Sequence, residues 1–301
     1  MTTEMPLSND QSILEFTGER FTPECVREIW YEHWHRYAFT LPLAAGRDVI
    51  DVASGEGYGT DLLASVANRV HGYDIDEASI RHARKRYAAR PNSHYQVASA
   101  TALPLQDKSV GLIASFETLE HLGEQAEMLE EFSRVLADDG LLVISTPDKL
   151  TYSDKTGYNN PDHVKELYRN EFVDLLQQQF SEVLLFGQKM MFSSAIWSLL
   201  EEPEPRFRIH HHEGQAIKGQ NSLAFEPLYY VAVCSKQAIS VADQSKLSNL
   251  DLLTDAKEAM YNHYNDQVRQ NIAFAHELMD KNKRLHVLEK QLAELKKRLD
   301  G

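Results

Sequence analysis

A carboxylate, three alternating glycines and a second carboxylate occupy one short stretch of this sequence. The segment Asp51-Val52-Ala53-Ser54-Gly55-Glu56-Gly57-Tyr58-Gly59 closes an apolar run at 49–52 and opens a stretch of helical character. Glycines in such a turn let the backbone approach a ligand closely, where any Cβ would clash. A turn at the carboxyl end of a first strand is where an open α/β sheet takes nucleotide-like ligands. Asp74 lies 19 residues after Gly55, at the end of the next apolar run. A carboxylate there can accept hydrogen bonds from both ribose hydroxyls of an adenosine. A dinucleotide site of the G-x-G-x-x-G type needs glycine at position 60, where this chain has Thr60. The acid at Asp51, four residues ahead of Gly55, suits a cofactor with a cationic amino-acid tail and no pyrophosphate.

These residues need a scaffold to position them. From residue 48, apolar runs at 49–52, 70–73, 95–97, 112–116 and 141–145 alternate with helical periodicity at 61–67, 77–87 and 125–136. This pattern predicts a Rossmann-like, doubly wound α/β fold, a mostly parallel sheet covered on both faces. After Pro147 it predicts a polar loop, a helix over 170–179, a strand at 182–186 and an antiparallel last strand at 228–234. Residues 190–226 read as an insertion. Its run His210-His211-His212 reads as a solvated loop, because adjacent side chains of an extended segment point to opposite faces and rarely converge on one ion. Residues 1–47 read as a helical cap, with a loop at 18–23 and a helix over 24–40 bearing Trp30, Tyr31, Trp34, Tyr37 and Phe39. Such rings pack against a main domain and also wall binding pockets. The cofactor domain then covers 48–235, a polar linker 236–250, and one long helix 251–301. In that helix Leu285, Leu288, Leu292, Leu295 and Leu299 recur at spacings of 3, 4, 3 and 4. This coiled-coil seam predicts self-association, or docking of a partner protein, through 251–301.

Over about residues 46–150 the chain resembles class I S-adenosylmethionine (SAM)-dependent methyltransferases of the small-molecule type. Asp51, Ala53, Gly55 and Gly57 match the family's SAM-binding turn, Asp74 its ribose-binding acid, and Ile75 the residue beside the adenine. Ser99-Ala100 matches the segment lining the adenine edge. Phe116-Glu117-Thr118-Leu119-Glu120-His121 matches the segment under the methionine moiety, and Ser145-Thr146-Pro147 the end of the fifth strand. Two positions depart from the pattern: Ala53 stands where glycine is more usual, and Ser99 where many members carry Asp. The stretches 16–23, 31–37 and 160–168 are similar to methyltransferases associated with bacterial surface polysaccharide (O-antigen) biosynthesis. That resemblance implies O-methylation of a sugar in a glycan or its sugar-nucleotide or lipid-linked precursor, as a cap on the chain. It implies a cytoplasmic protein at the inner face of the membrane, held there by a partner.

A sugar hydroxyl is a poor nucleophile at neutral pH, so a general base is expected. Histidine, with an unperturbed pKa of about 6.5, suits the task. His163 and His121 are the candidates, with His163 first because its segment would face the acceptor; Glu120 and His33 rank below them. Arg20, Tyr31, His33 and Tyr37 are candidate acceptor contacts. No carboxylate cluster stands out as a magnesium site, so no metal is expected.

Composition limits the alternatives. With 301 residues and a formal charge of -14, the chain is a poor match for a nucleic-acid binder, which needs clustered Lys and Arg. The basic group Arg81, Arg84, Lys85 and Arg86 reads as a solvated helix face. Cys25 and Cys234 have no metal-ligand spacing and fit a reducing compartment. No run of 18 apolar residues suggests a membrane span. Competing readings are a non-catalytic scaffold assembled through 251–301, a methyltransferase for another small molecule, and a nicotinamide-dependent oxidoreductase. Thr60 and Asp51 disfavour the last.

Overall fold

Runs of Val, Ile and Leu too short for helices alternate with amphipathic segments, and the chain resolves this pattern by burying the runs between two helical layers. The computed structural model describes residues 28–191, 193, 209–213, 216–220, 223, 225–255 and 258–299. In chain order the elements are α1 (Glu28–Ala44), β1 (Asp48–Val52), α2 (Tyr58–Leu63), β2 (Arg69–Asp74), α3 (Glu77–Arg86), β3 (Ser93–Val97) and β4 (Val110–Ser115). A 3-10 turn (Leu119–His121) precedes α4 (Gln125–Val135), which runs directly into β5 (Leu136–Pro147). A π turn (Leu150–Asp154), α5 (Arg169–Gln177) and β6 (Glu182–Gln188) follow, then β7 (Ile209–Glu213), β8 (Ala216–Gln220), β9 (Tyr229–Ser235), α6 (Val241–Gln244) and α7 (Ala259–Leu299).

Seven strands form one sheet in the order β3-β2-β1-β4-β5-β9-β6. β1 to β5 pair in parallel, and β9 runs antiparallel to both β5 and β6. The doubly wound, mostly parallel sheet with an antiparallel last strand is therefore present. Successive strand residues serve opposite layers, as the period of two requires. Val49, Leu112, Val143 and Val233 pack with α1 and α2, while Ile50, Val52, Ile113 and Ile144 pack with α4 and α5. Asp76 caps α3 by accepting from the Ala78 and Ser79 amides.

Several boundaries differ from the sequence reading. The first helix continues to Ala44 through Pro42, where the reading stopped at 40. The loop expected at His210–His212 is instead strand: β7 pairs antiparallel with β8 in a separate two-stranded sheet. Residues 251–255 are not helical, so the long helix begins at Ala259 rather than at 251. Arg86 leaves the solvated face and approaches buried Glu56 at 3.8 Å. The chain falls into two compact units, Met1–Leu252 and Leu253–Gly301. Among the described residues no helix is long and apolar enough to cross a membrane.

Candidate active site

Sheet order reverses between β1 and β4, which opens the crevice that doubly wound folds use for ligands. The glycine turn sits there, after β1. Gly57 caps α2 at φ 96, and a Cβ on it would lie 2.7 Å from the Tyr95 ring. A Cβ on Gly59 would lie 2.0 Å from the Tyr37 ring. Gly55, at φ 55, is different: a Cβ there would meet nothing within 4 Å. Gly57 and Gly59 thus allow close packing, while Gly55 borders open space. Beside it the Ser54 hydroxyl is buried without a hydrogen-bond partner. Ala53 holds a positive φ of 62, the backbone state that explains the usual preference for glycine at that position.

Asp74 ends β2 with one oxygen accepting the Gly55 amide (2.8 Å) and the other the Asp76 amide (2.8 Å). A carboxylate has about four lone-pair sites, so it can accept further hydroxyls. Ile75, next along, is 77% exposed. Ser99 and Ala100 lie half-buried in the turn after β3, where Ser99 Oγ is 2.9 Å from Thr101 Oγ1. Phe116, buried at the end of β4, meets Tyr37 edge-on at 4.9 Å.

Asp51 lies beneath the turn, fully buried, accepting from Tyr37 Oη (3.0 Å) and Thr60 Oγ1 (2.7 Å). Burial pushes its carboxyl up to about 6, and the bonds from Thr60 and Tyr37 oppose the rise. Thr60, which breaks the dinucleotide pattern, is thus a direct partner of this acid.

The opposite wall follows β4 and β5. Glu117 adopts φ 50 and accepts from Ser145 Oγ at 2.6 Å. Buried Arg36 of α1 brings Nη2 to 3.5 Å from the same carboxylate, lies 4.5 Å over the Tyr229 ring, and donates from Nε to Gln188 (2.8 Å). Glu120 is 1% exposed; Thr146 Oγ1 donates to its Oε2 (3.3 Å), and its Oε1 has no hydrogen-bond partner. Burial, with Glu117 adding, holds this carboxyl well above the ordinary range. His121 Nδ1 is 3.0 Å from the Asp162 carbonyl, and His163 Nδ1 is 2.6 Å from Glu166 Oε1. The two imidazoles meet edge-on at 5.0 Å, and Tyr152 stacks on His163 at 5.3 Å. Both histidines therefore converge, although 42 residues separate them in sequence.

The acceptor candidates scatter more. Arg20 lies outside the described residues. Tyr31 packs edge-on against Trp30 at 5.1 Å. His33 Nδ1 is 3.3 Å from Tyr58 Oη, and burial, with Arg36 adding, lowers its pKa. Tyr37 belongs to the floor of the glycine turn. Sequence reasoning missed Arg36 as a site-wall residue. Glu32, Arg36 and Thr40 form a buried polar stripe at i, i+4 and i+8 among the aromatics, and that spacing was the available signal.

A model of the methyltransferase domain matches residues 50–144. A "Probable S-adenosylmethionine-dependent methyltransferase" of Mycolicibacterium smegmatis is 40% identical over 175 residues, 57% of this chain and 67% of that protein. The chain belongs to the class I SAM-dependent methyltransferases. Relatives of the same printed description in two Mycobacterium tuberculosis strains are 39% identical over 180 residues, 58% of this methyltransferase and 65% of theirs. The matches thus span about two thirds of these relatives. Among solved structures, the YcgJ protein of Bacillus subtilis aligns with a TM-score of 0.46 at 18% identity, over 52% of the methyltransferase and 71% of that chain. The residues present fit the cofactor: the turn at Gly55 leaves open space, and the Asp74 carboxylate that accepts the Gly55 amide borders it.

Proposed function

We propose that this methyltransferase modifies a sugar hydroxyl of a surface glycan or of its sugar-nucleotide or lipid-linked precursor, capping the chain. The observation that carries the reading is the convergence of His121 and His163 beside Glu120 at the carboxyl edge of β4 and β5. A hydroxyl nucleophile gains from a positioned general base, and histidine is the side chain that most often serves as one. The segment 160–168, which contributes His163, is also one of the stretches that resemble polysaccharide methyltransferases.

In this reading Asp74 accepts the ribose hydroxyls, Ile75 offers an apolar surface to the adenine, and Ser99 and Ala100 border its edge. Gly55 and Gly57 shape the turn with Ala53, Asp51 holds it from below, and Phe116 closes the crevice floor. When bound, SAM supplies a methyl carbon on a sulfonium centre. His163, oriented by Glu166, takes the proton of the acceptor hydroxyl, with His121 beside it. Tyr31, His33 and Arg20 serve the acceptor side, and Tyr37 acts through the turn. The helix α7 joins copies of the chain, or a partner at the inner face of the membrane.

Incubation with methyl-tritiated SAM and a set of glycan acceptors, followed by mass spectrometry, tests the acceptor class. The expected result is label on a sugar oxygen; label restricted to non-carbohydrate acceptors would overturn it. His163→Ala is expected to lower turnover about 100-fold while SAM affinity measured by calorimetry stays within a factor of two or so. Wild-type turnover would remove His163 from this role.

A further inference from the structure

The unpartnered oxygen of Glu120 lies beside His121, whose ring packs edge-on against His163. Among the described residues Glu120, His121 and His163 each offer one ligand atom, all within 4.8 Å of one another. Glu120 Oε1, buried and without a hydrogen bond, lies 3.9 Å from His121 Nε2. A buried oxygen acceptor left unsatisfied carries a substantial cost, so something is expected to meet it.

The tautomers follow from the partners. The Asp162 carbonyl can only accept, so His121 carries its proton on Nδ1, which leaves the Nε2 lone pair open. The Glu166 carboxylate sets His163 in the same way. An imidazole tied through Nδ1 to a carboxylate or carbonyl, with Nε2 bare, is the outer-shell arrangement that orients metal-ligating histidines. The backbone fixes the two segments together. Val164 and Lys165 amides both donate to the Glu120 carbonyl (2.8 and 3.0 Å), and Gln125 Nε2 donates to the Leu119 and Lys165 carbonyls (2.9 and 2.8 Å). An ion about 2.1 Å from each donor separates neighbouring ligand atoms by about 3.4 Å in a tetrahedral site. The group is therefore within a small side-chain adjustment of that geometry. The His121 side chain, 32% exposed, opens the position to solvent.

We propose that Glu120, His121 and His163 bind a divalent transition metal ion of the zinc or manganese class. Two imidazoles and one carboxylate favour such ions over magnesium or calcium, which take oxygen donors. Three protein ligands leave positions for water or for an acceptor hydroxyl. A hydroxyl held there loses its proton more readily: the O–H bond breaks, the proton passes to solvent water, and the electron pair stays on the metal-bound oxygen. This role rests on the proposed hydroxyl acceptor and replaces proton capture by His163 with ligation. The binding itself does not rest on the acceptor.

The full chain, stripped with a chelator, is titrated with Zn²⁺, Mn²⁺, Co²⁺ or Mg²⁺ alone in a calorimeter. The protein carries His210→Ala, His211→Ala and His212→Ala, so that the histidine run cannot bind the ions. One-to-one binding of the transition ions, weaker for Mg²⁺, is expected. Glu120→Gln, His121→Ala and His163→Ala should each weaken it about tenfold or more, with an unchanged circular dichroism spectrum and thermal midpoint as the check on folding. If Glu120→Gln fails to fold, the more exposed His121→Ala carries the comparison. No stoichiometric binding, or equal affinity in the variants, overturns the site. Full methyl transfer by chelated protein overturns the role in hydroxyl activation and leaves the glycan reading standing. Metal binding that depends on the three residues, with no label reaching any glycan, supports the site and overturns the acceptor instead.

Discussion

Asp74 accepts the Gly55 and Asp76 amides, so one side chain sets the turn and faces the proposed ribose. Removing it deletes two charge-assisted acceptors, each worth about 1.5–3 kcal/mol. Asp74→Ala should therefore weaken SAM binding about 100-fold or more in calorimetry, and unchanged affinity would sink its assignment. Asp51 shows the opposite economy, a buried acid raised from 3.8 to about 6. Between about pH 4 and 6 the folded protein keeps a proton that the unfolded chain releases, so stability from this group falls as pH rises through the window. Two units correspond to about 3 kcal/mol. Asp51→Asn removes that slope. Denaturant unfolding should show the variant gaining about 3 kcal/mol on the wild type between pH 4 and 7; a constant difference would refute the burial account. Both acids were legible as residues. The fully buried environment of Asp51 was not, because Tyr37 reaches it from a helix outside the recognised motif.

At the scale of elements, α1 meets α2 through the Tyr37 ring lying against Gly59. Gly59→Ala would put a methyl 2.0 Å from that ring, an overpacking expected to cost about 3 kcal/mol. A lower thermal midpoint, together with weaker SAM binding, is the expected measurement; a neutral change would mean that α1 yields easily. The strands of the parallel sheet were readable because both faces are buried and the apolar runs are continuous. The β7–β8 hairpin was not, since Ile209-His210-His211-His212-Glu213 shows no apolar alternation and its pairing depends on the partner strand. Glu117 was quoted within a motif, but its left-handed backbone and its bond to Ser145 emerge only when β4 and β5 lie side by side. The approach of His121 to His163 is likewise tertiary, stapled by the Glu120 carbonyl and by Gln125.

For the whole molecule, the 41-residue α7 is about 60 Å long at 1.5 Å per residue. Leu285, Leu288, Leu292 and Leu295 are exposed along it. Burying such a seam in a coiled coil is the expected use of that pattern. Leu288→Glu with Leu292→Glu should lower the sedimentation coefficient to that of a single chain while SAM affinity persists; an unchanged coefficient would exclude the seam as the association site. The sheet has a further consequence. β9 supplies the partner strand for both β5 and β6, yet it is the last of the three in the chain. A ribosome delivers 136–147, then 182–188, and only later the strand that belongs between them. Until residue 235 emerges, the nascent chain carries an open edge on β5 and an unpaired β6, the kind of surface that pairs wrongly with neighbouring chains. The length of the stretch 189–228 therefore sets how long that edge waits for its partner strand during synthesis.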